Sequence, residues 1–310
     1  MKKMLALISL TLLFLSSVQE VSACAIRNAD DRPAVPLLVI PKSKASSWEQ
    51  EIFYHDLLTL ILKRTEKTFG PCNIVHMEDE LTRIRSAVRI KGDQGVDLYW
   101  ASTTIEREAM LQPIRIPLLK GLMGYKIFLI HKDNQKAFSQ VTNLSQLQNF
   151  RAGQGADWPD VEILLSNDIS VSVSANYESL FKMLSAKRFD FFPRGANQIL
   201  SELRHNKDKD IIIEPRLVLT FSSPVYFFVS KKNDALAKRI EQGLREMLDD
   251  GSYDEFFYRH PLIVDTITQL NLQARKIISI SNPLLPPSAK KEPIENWSAQ
   301  LKKYNPDIDI

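Results

Sequence analysis

The residue types best suited to binding a small anion lie together between Asp97 and Arg107. The stretch from Asp97 to Ser102 is typical of the end of a buried strand, and a hydroxyl-rich turn and the first turn of a helix follow it. Thr103 and Glu106 have the capping-box spacing, which predicts Thr103 as the helix N-cap. The segment therefore predicts a strand-to-helix corner with free N–H groups at its tip.

The side chains at this corner favour an anion. Ser102, Thr104 and Arg107 would surround a carboxylate together with the N–H groups of the first helical turn. An ion pair between Arg107 and its neighbour Glu108 is equally compatible with the spacing. In either case, Arg107 is the strongest single candidate for a binding residue in the chain.

Other candidates are aromatic or glycine residues at the ends of predicted elements. Trp100, Trp158 and Tyr177 each lie at a strand end or a helix start, where they either line a cleft or pack in the core. Gly153 and Gly155 precede a predicted helix. They would let backbone N–H groups approach a ligand, or simply form a turn.

The N-terminus has the layout of an export signal. Lys2 and Lys3 precede the apolar run from Leu5 to Leu15, and small residues precede Cys24. This order predicts a signal peptide over residues 1–23 and a periplasmic location. The apolar run is too short to span a bilayer, which needs about 20 residues.

Cys24 has two possible fates. It stands in a lipoprotein-like box, but Glu20 and the polar residues around it argue against lipid attachment at Cys24. The other cysteine of the chain is Cys72, so Cys24 and Cys72 are candidates for one disulfide in an oxidising compartment.

The composition limits the classes of partner and chemistry. The formal charge is +3, and cleavage would remove two lysines and one glutamate and leave +2, which predicts no nucleic-acid partner. The histidines and cysteines lack the spacing of a metal site, and no Gly-x-Ser-x-Gly elbow is present. We therefore expect no metal, no cofactor and no enzyme activity, with a carboxylate-pair hydrolase as a third alternative.

Strand and helix patterns alternate from Pro36 onward, which predicts parallel α/β sheets. Tyr125 to Ile130 and Val225 to Val229 are similar aromatic-rich strands, and we interpret them as paired crossings between two lobes. The predicted division is lobe 1 over residues 24–123 and 225–283, lobe 2 over 124–224, and a loosely attached polar tail over 284–310.

These segments, in this order, resemble the type II periplasmic solute-binding proteins of the extracellular solute-binding family 3. The resemblance covers about Pro36 to His260. It depends on the corner at Asp97 to Arg107, on Lys187 to Asp190, on the strand from Val225 to Val229, and on the closing helix pattern from Ala235 to Tyr253. It implies an α/β fold of two Rossmann-like lobes joined by two hinge strands, with ligand in the cleft between them.

The resemblance also implies roles for individual residues. Ser102, Thr104 and Arg107 would hold a ligand carboxylate, while an acid after the strand at Phe189 to Phe192 would hold a ligand amine. Arg194 and Gly195 stand at that position instead. Either Arg194 is a second anion contact, which disfavours a simple amino acid, or it pairs with a surface acid.

Two functions follow from these expectations. The first is a monomeric solute-binding protein that delivers a small anionic or polar solute to an ABC-type membrane permease. The second is a periplasmic sensor that presents its liganded form to a membrane receptor such as a kinase or a cyclase.

Overall fold

The computed structural model describes residues 23–24, 36–43, 48–206, 210–289 and 296–308. Most of the predicted signal peptide, residues 1–22, lies outside the described residues. The strands are β1 (Leu37–Ser43), β2 (Asn73–Leu81), β3 (Leu98–Ser102), β4 (Gln112–Ile114), β5 (Tyr125–His131), β6 (Ala152–Gly155), β7 (Val171–Ser174), β8 (Phe191–Gly195), β9 (Ile211–Ile213), β10 (Leu217–Thr220), β11 (Val225–Val229) and β12 (Lys276–Ser279).

Helices alternate with these strands over most of the chain. They are α1 (Trp48–Arg64), α2 (Glu66–Phe69), α3 (Arg83–Lys91), α4 (Ile105–Met110), α5 (Gln135–Phe138), α6 (Leu144–Leu147), α7 (Asp160–Leu165), α8 (Tyr177–Ser185), α9 (Ala196–His205), α10 (Asp234–Asp249), α11 (Ser252–Arg259), α12 (Pro261–Leu270) and α13 (Trp297–Tyr304). Among the described residues, no helix combines the length and the apolar character that crossing a membrane requires.

Lobe 1, as we use the name from here on, is built on two small sheets. β1 and β2 pair in parallel, while β11 lies between β3 and β4 and is antiparallel to both. Asp97 joins the two sheets, since its N–H donates to the Val39 carbonyl (2.8 Å) and its carboxylate accepts from the Val39 N–H (2.7 Å). Every residue of β11 is buried, as expected for a central strand.

Lobe 2 is built on one sheet of seven strands. The order is β12-β10-β5-β8-β6-β7, and β9 also pairs with β5. The sequence prediction assigned β12 to lobe 1, and the structure corrects this: β12 pairs in parallel with β10 from Leu217↔Lys276 to Thr220↔Ser279. The pairing satisfies the outer edge of β10, which would otherwise expose unpaired backbone groups.

The two crossings between the lobes lie just outside β5 and β11. These strands were interpreted as the two crossings themselves; β5 belongs to the large sheet of lobe 2 and β11 to the small sheet of lobe 1. The chain crosses before β5 and between β10 and β11, where the Phe221 N–H donates to the Gly124 carbonyl (3.1 Å). A Cβ on Gly124 would lie 2.3 Å from the Phe221 carbonyl oxygen, so the close approach of the crossings requires glycine there.

The C-terminal segment is attached to both lobes, and the prediction of a loose tail is wrong for its described part. Asn282 donates to the Ser222 carbonyl between the lobes (2.8 Å), and Leu284 accepts from the first N–H of α4, that of Ile105 (2.9 Å). Further on, Trp297 of α13 is 2% exposed and packs edge-on against Tyr125, with ring centroids 4.6 Å apart. Trp297 and Leu301, both buried, supply the apolar area that docks a segment that is polar on average.

The structure contains a disulfide between Cys24 and Cys72, whose Cα atoms are 6.1 Å apart. Cys24 is buried beside α10, where the Arg239 guanidinium donates to its sulfur (3.6 Å). A sulfur in this bond cannot also carry a lipid, so the structure has the bridged form of the two that the sequence left open.

Candidate functional site

The corner between β3 and α4 has the predicted shape but a different cap. Thr104, not Thr103, is the N-cap of α4, because its backbone is extended and its hydroxyl accepts the Arg107 N–H (3.1 Å). Thr103 instead donates its hydroxyl to Glu108 (2.7 Å). The two neighbouring threonines offer the same hydroxyl, and in the structure Thr103 is engaged by Glu108 while Thr104 caps the helix.

Arg107 is buried at this corner and forms no ion pair with Glu108. Its guanidinium donates to the Ser102 carbonyl and lies 6.0 Å from the centroid of the Phe228 ring. Glu108 pairs with Arg115 instead. The guanidinium is thus oriented by a neutral carbonyl and not by a carboxylate.

A second arginine, which the sequence analysis missed, joins Arg107 on the lobe 1 side. Arg83 is the first residue of α3, a helix that Thr82 caps by accepting the Arg85 N–H (3.3 Å). The Arg83 guanidinium donates to the Trp100 carbonyl (2.9 Å). The available signal was its position directly after a threonine cap, which matches the first-turn position of Arg107.

An aromatic pair lies beside these arginines. Tyr54 of α1 stacks on Trp100 with ring centroids 4.6 Å apart and an interplanar angle of 19°. Burial raises the pKa of Tyr54 far above its usual range, so the phenol is neutral at physiological pH. The position of Tyr54 on the first helix does not by itself reveal this stacking.

On the lobe 2 side, Arg194 is neutralised by an acid that the sequence analysis did not identify. Both oxygens of Glu202 accept from the Arg194 guanidinium (2.6 Å each). Burial would lower the pKa of Arg194, but the Glu202 carboxylate outweighs it and raises the pKa. Both side chains are almost fully buried. The prediction that Arg194 pairs with a surface acid is therefore wrong about where the acid lies.

The Trp158 ring covers this ion pair. The Arg194 guanidinium lies 4.3 Å from the centroid of the Trp158 ring, a cation–π distance. Gly155 permits this arrangement, because a Cβ there would lie 2.4 Å from the Trp158 ring. Tyr177 is near the same pair, and burial together with the Glu202 charge raises the pKa of its phenol.

A second ion pair on the lobe 2 side joins Lys126 and Asp160. The Lys126 ammonium lies 2.8 Å from the Asp160 carboxylate and 5.0 Å from the centroid of the Phe221 ring. Burial lowers the pKa of Lys126, and Asp160 offsets part of this effect. The Asp160 carboxylate lines the cleft and is already paired with a lysine.

These side chains enclose a cavity between the lobes of about 60 Å³. Of the predicted site residues, Trp100, Ser102, Arg107, Trp158 and Arg194 line it. Residues that the prediction did not select also line it: Gln50, Tyr54, Arg83, Ala101, Met123, Lys126, Pro159, Asp160, Gln198 and Val225.

The remaining predicted residues lie elsewhere. Gly155 and Tyr177 line a neighbouring interlobe cavity of about 220 Å³, which shares Arg83 and Trp158 with the first one. Thr104 lines neither cavity and acts as the helix cap. Two cavities with common walls form one cleft.

Among the described residues, no group of three or more histidine, cysteine, aspartate or glutamate side chains is arranged to hold a metal ion.

Comparisons with solved structures show the fold. An amino-acid ABC transporter substrate-binding protein from Streptococcus pneumoniae, bound to L-arginine, aligns with a TM-score of 0.51 and 15% identity over 71% of this chain and 91% of that chain. A histidine kinase sensor domain with similarity to periplasmic binding proteins aligns with a TM-score of 0.55 and 12% identity over 73% and 96%.

A third similar structure is an ancestral amino-acid-binding protein that is a precursor of cyclohexadienyl dehydratase. It aligns with a TM-score of 0.53 and 14% identity over 72% of this chain and 95% of that chain. No protein-family model and no curated protein matches the sequence. The chain therefore has the two-lobed type II periplasmic-binding-protein fold, as its sequence pattern predicts.

Proposed function

We propose that the protein is a periplasmic solute-binding protein that captures a small anionic solute between its lobes for an ABC-type transporter. The observation that carries this proposal is the pair Arg83 and Arg107. Both guanidinium groups line the cleft and donate to neutral β3 carbonyls. In the described part of the chain, neither has a carboxylate within ion-pair distance.

The fold supplies the mechanism of capture. Two crossings and the C-terminal segment connect the lobes, and the cleft opens and closes around the ligand by a hinge motion. An anion that enters meets uncompensated charge on lobe 1 and neutralised charge on lobe 2. Because the closed cleft excludes most water, each charge-assisted hydrogen bond is stronger there than at the surface.

The ligand leaves unchanged in this proposal, so the protein is not an enzyme. One of the similar structures is a precursor of cyclohexadienyl dehydratase, so the absence of catalysis needs its own argument and test. No histidine of the described residues lines either cavity of the cleft, and Asp160, the acid that lines the first cavity, is held in an ion pair with Lys126.

The test is ligand binding by the mature protein. Differential scanning fluorimetry against acidic metabolites and amino acids, followed by calorimetry of the hits, should give a saturable ligand that mass spectrometry recovers intact. Arg107→Ala should remove the response. Arg245→Ala, which changes an exposed arginine paired with Glu241, is the matched control. Failure of every compound to stabilise the wild type would refute the proposal.

A sensor of periplasmic solutes is the second candidate, favoured by the likeness to a histidine kinase sensor domain. The binding step is the same, and only the receiving membrane protein differs. Deletion of the gene separates the two: loss of solute uptake supports transport, whereas normal uptake with loss of a transcriptional or signalling response supports sensing.

A further inference from the structure

The two free arginines of lobe 1 are anchored at a fixed spacing. Arg83 donates to the carbonyl of Trp100, and Arg107 donates to the carbonyl of Ser102. Carbonyls two residues apart on a strand point to the same side and are separated by about 7 Å. β3 is held straight by five consecutive residue pairs with β11, so this spacing is part of the scaffold.

Each guanidinium keeps most of its hydrogen-bonding capacity. A guanidinium carries five N–H donors, and one of them is spent on the β3 carbonyl in each case. The remaining donors are arranged in a planar fork that fits the two oxygens of an acid group. The cleft thus offers two separate anion-binding positions, one at each arginine.

The other charges that line the cavity of about 60 Å³ cancel. Lys126 is paired with Asp160, and Arg194 is paired with Glu202. The cations that line this cavity, with these two acids, therefore leave an excess of two positive charges, those of Arg83 and Arg107. The acids Glu80, Asp157 and Glu178 line the neighbouring cavity. A ligand with one negative charge would leave a desolvated guanidinium without a partner, which is unfavourable.

We propose that the ligand is a small dianion, with two acid groups on one short carbon skeleton that bridge Arg83 and Arg107. This inference rests on the proposed solute-binding function. Tyr54, Met123 and Val225 provide the apolar lining for the skeleton. The first cavity suits an amino acid poorly, because the ammonium group needs a free carboxylate and Asp160, the acid that lines this cavity, is already bound to Lys126.

The experiment measures the preference for two charges over one. Calorimetric titration of the mature protein with malonate, succinate, glutarate and adipate gives the preferred spacing between the acid groups. Butyrate is the counterpart of succinate with one acid group removed. Phosphoglycolate tests whether a phosphate can replace one carboxylate, and alanine and arginine represent amino acids.

Arg83→Ala is the decisive variant. We expect wild type to bind at least one dianion roughly ten- to a hundredfold more tightly than the monoanionic counterpart. In Arg83→Ala, the two affinities should become similar. Arg85→Ala is the matched control, because Arg85 lies on the same helical turn but is exposed and does not line the cleft. Arg83→Lys keeps one charge and should retain part of the ratio if the alanine variant folds poorly.

The outcomes separate this inference from the proposed function. If an amino acid or butyrate binds as tightly as the best dianion, or if Arg83→Ala leaves the ratio unchanged, the dianion inference is wrong while solute binding stands. If no compound of any class binds, both fail. Tight binding of phosphoglycolate with weak binding of every dicarboxylate would assign one of the two acid groups to a phosphate, and the reverse would assign both to carboxylates.

Discussion

The two sides of the cleft carry the same kinds of cation but treat their charge in opposite ways. On lobe 1, Arg83 and Arg107 are oriented by backbone carbonyls and remain uncompensated. On lobe 2, Arg194 and Lys126 each lie against a carboxylate. A carbonyl orients a guanidinium without neutralising it, whereas a buried carboxylate neutralises the positive charge of the cation. In the proposed function, Arg83 and Arg107 of lobe 1 would therefore attract the anion, whereas the paired cations of lobe 2 would add little attraction.

The largest expected effect comes from breaking the lobe 2 pair. Glu202→Gln leaves the Arg194 guanidinium buried without a countercharge, and we expect the free energy of unfolding to fall by about 3–5 kcal/mol. Urea unfolding followed by circular dichroism measures it. Glu241→Gln, at an exposed helical ion pair, should cost at most about 0.5 kcal/mol. Equal losses of unfolding free energy in the two variants would mean that the Arg194–Glu202 pair does not stabilise lobe 2.

Removal of the disulfide tests how much this bridge stabilises lobe 1. The cysteines are 48 residues apart, and closing a loop of this length stabilises the folded state by about 4 kcal/mol in the chain-entropy model. We expect Cys24→Ser combined with Cys72→Ser to lower the free energy of unfolding by about 2–4 kcal/mol. Wild type under reducing conditions is the control, and it should match the double variant.

Removing the arginines on opposite sides of the cleft should have different effects on ligand affinity. Arg107→Ala should weaken binding of the preferred ligand roughly ten- to a hundredfold, because a charge-assisted hydrogen bond contributes about 1.5–3 kcal/mol. Replacing the lobe 2 pair as a unit, with Arg194→Met and Glu202→Leu, should change affinity little and leave stability unchanged or higher. Calorimetry and urea unfolding check both. A larger affinity loss in the double variant would reverse the roles of the two sides.

The smallest expected effect is the pH dependence of binding. Burial lowers the pKa of Lys126, so raising the pH removes the charge of this lysine earlier than that of an exposed one. Loss of this proton leaves the Asp160 carboxylate uncompensated in the cavity, so the affinity for the preferred anion should fall as the pH rises toward about 10, and Lys126→Arg should remove this fall. A wild-type affinity that stays constant over this range would mean that the Lys126–Asp160 pair has no influence on binding.

Local patterns predicted much of the fold, because neighbouring residues dictate it. The alternation of apolar runs with capped helices gave the order of strands and helices, and Arg107 lies in the cleft as its position after a buried strand predicts. The failures came from contacts distant in sequence. The docking of α13 through Trp297, and the addition of β12 to the sheet of lobe 2, depend on surfaces that only the folded chain presents.

The site shows the same division. Five of the eight predicted residues line the first cavity, because strand ends and helix starts meet at the edge of an α/β sheet. Arg83 was missed because nothing next to it in the sequence shows that it reaches the Trp100 carbonyl, 17 residues further on. Thr104 was selected for an anion, but the choice of cap assigned its hydroxyl to the backbone.

By itself, the sequence determined which residues carry charge and that the strand-to-helix corners bring some of them to a cleft. Only the tertiary structure decided which charges remain free. Glu202 lies eight residues after Arg194 and reaches it because α9 turns back along β8, whereas no described acid reaches Arg83 or Arg107. The physical reason is that the interaction of two charges depends on their separation and on the solvent excluded around them, and folding sets both.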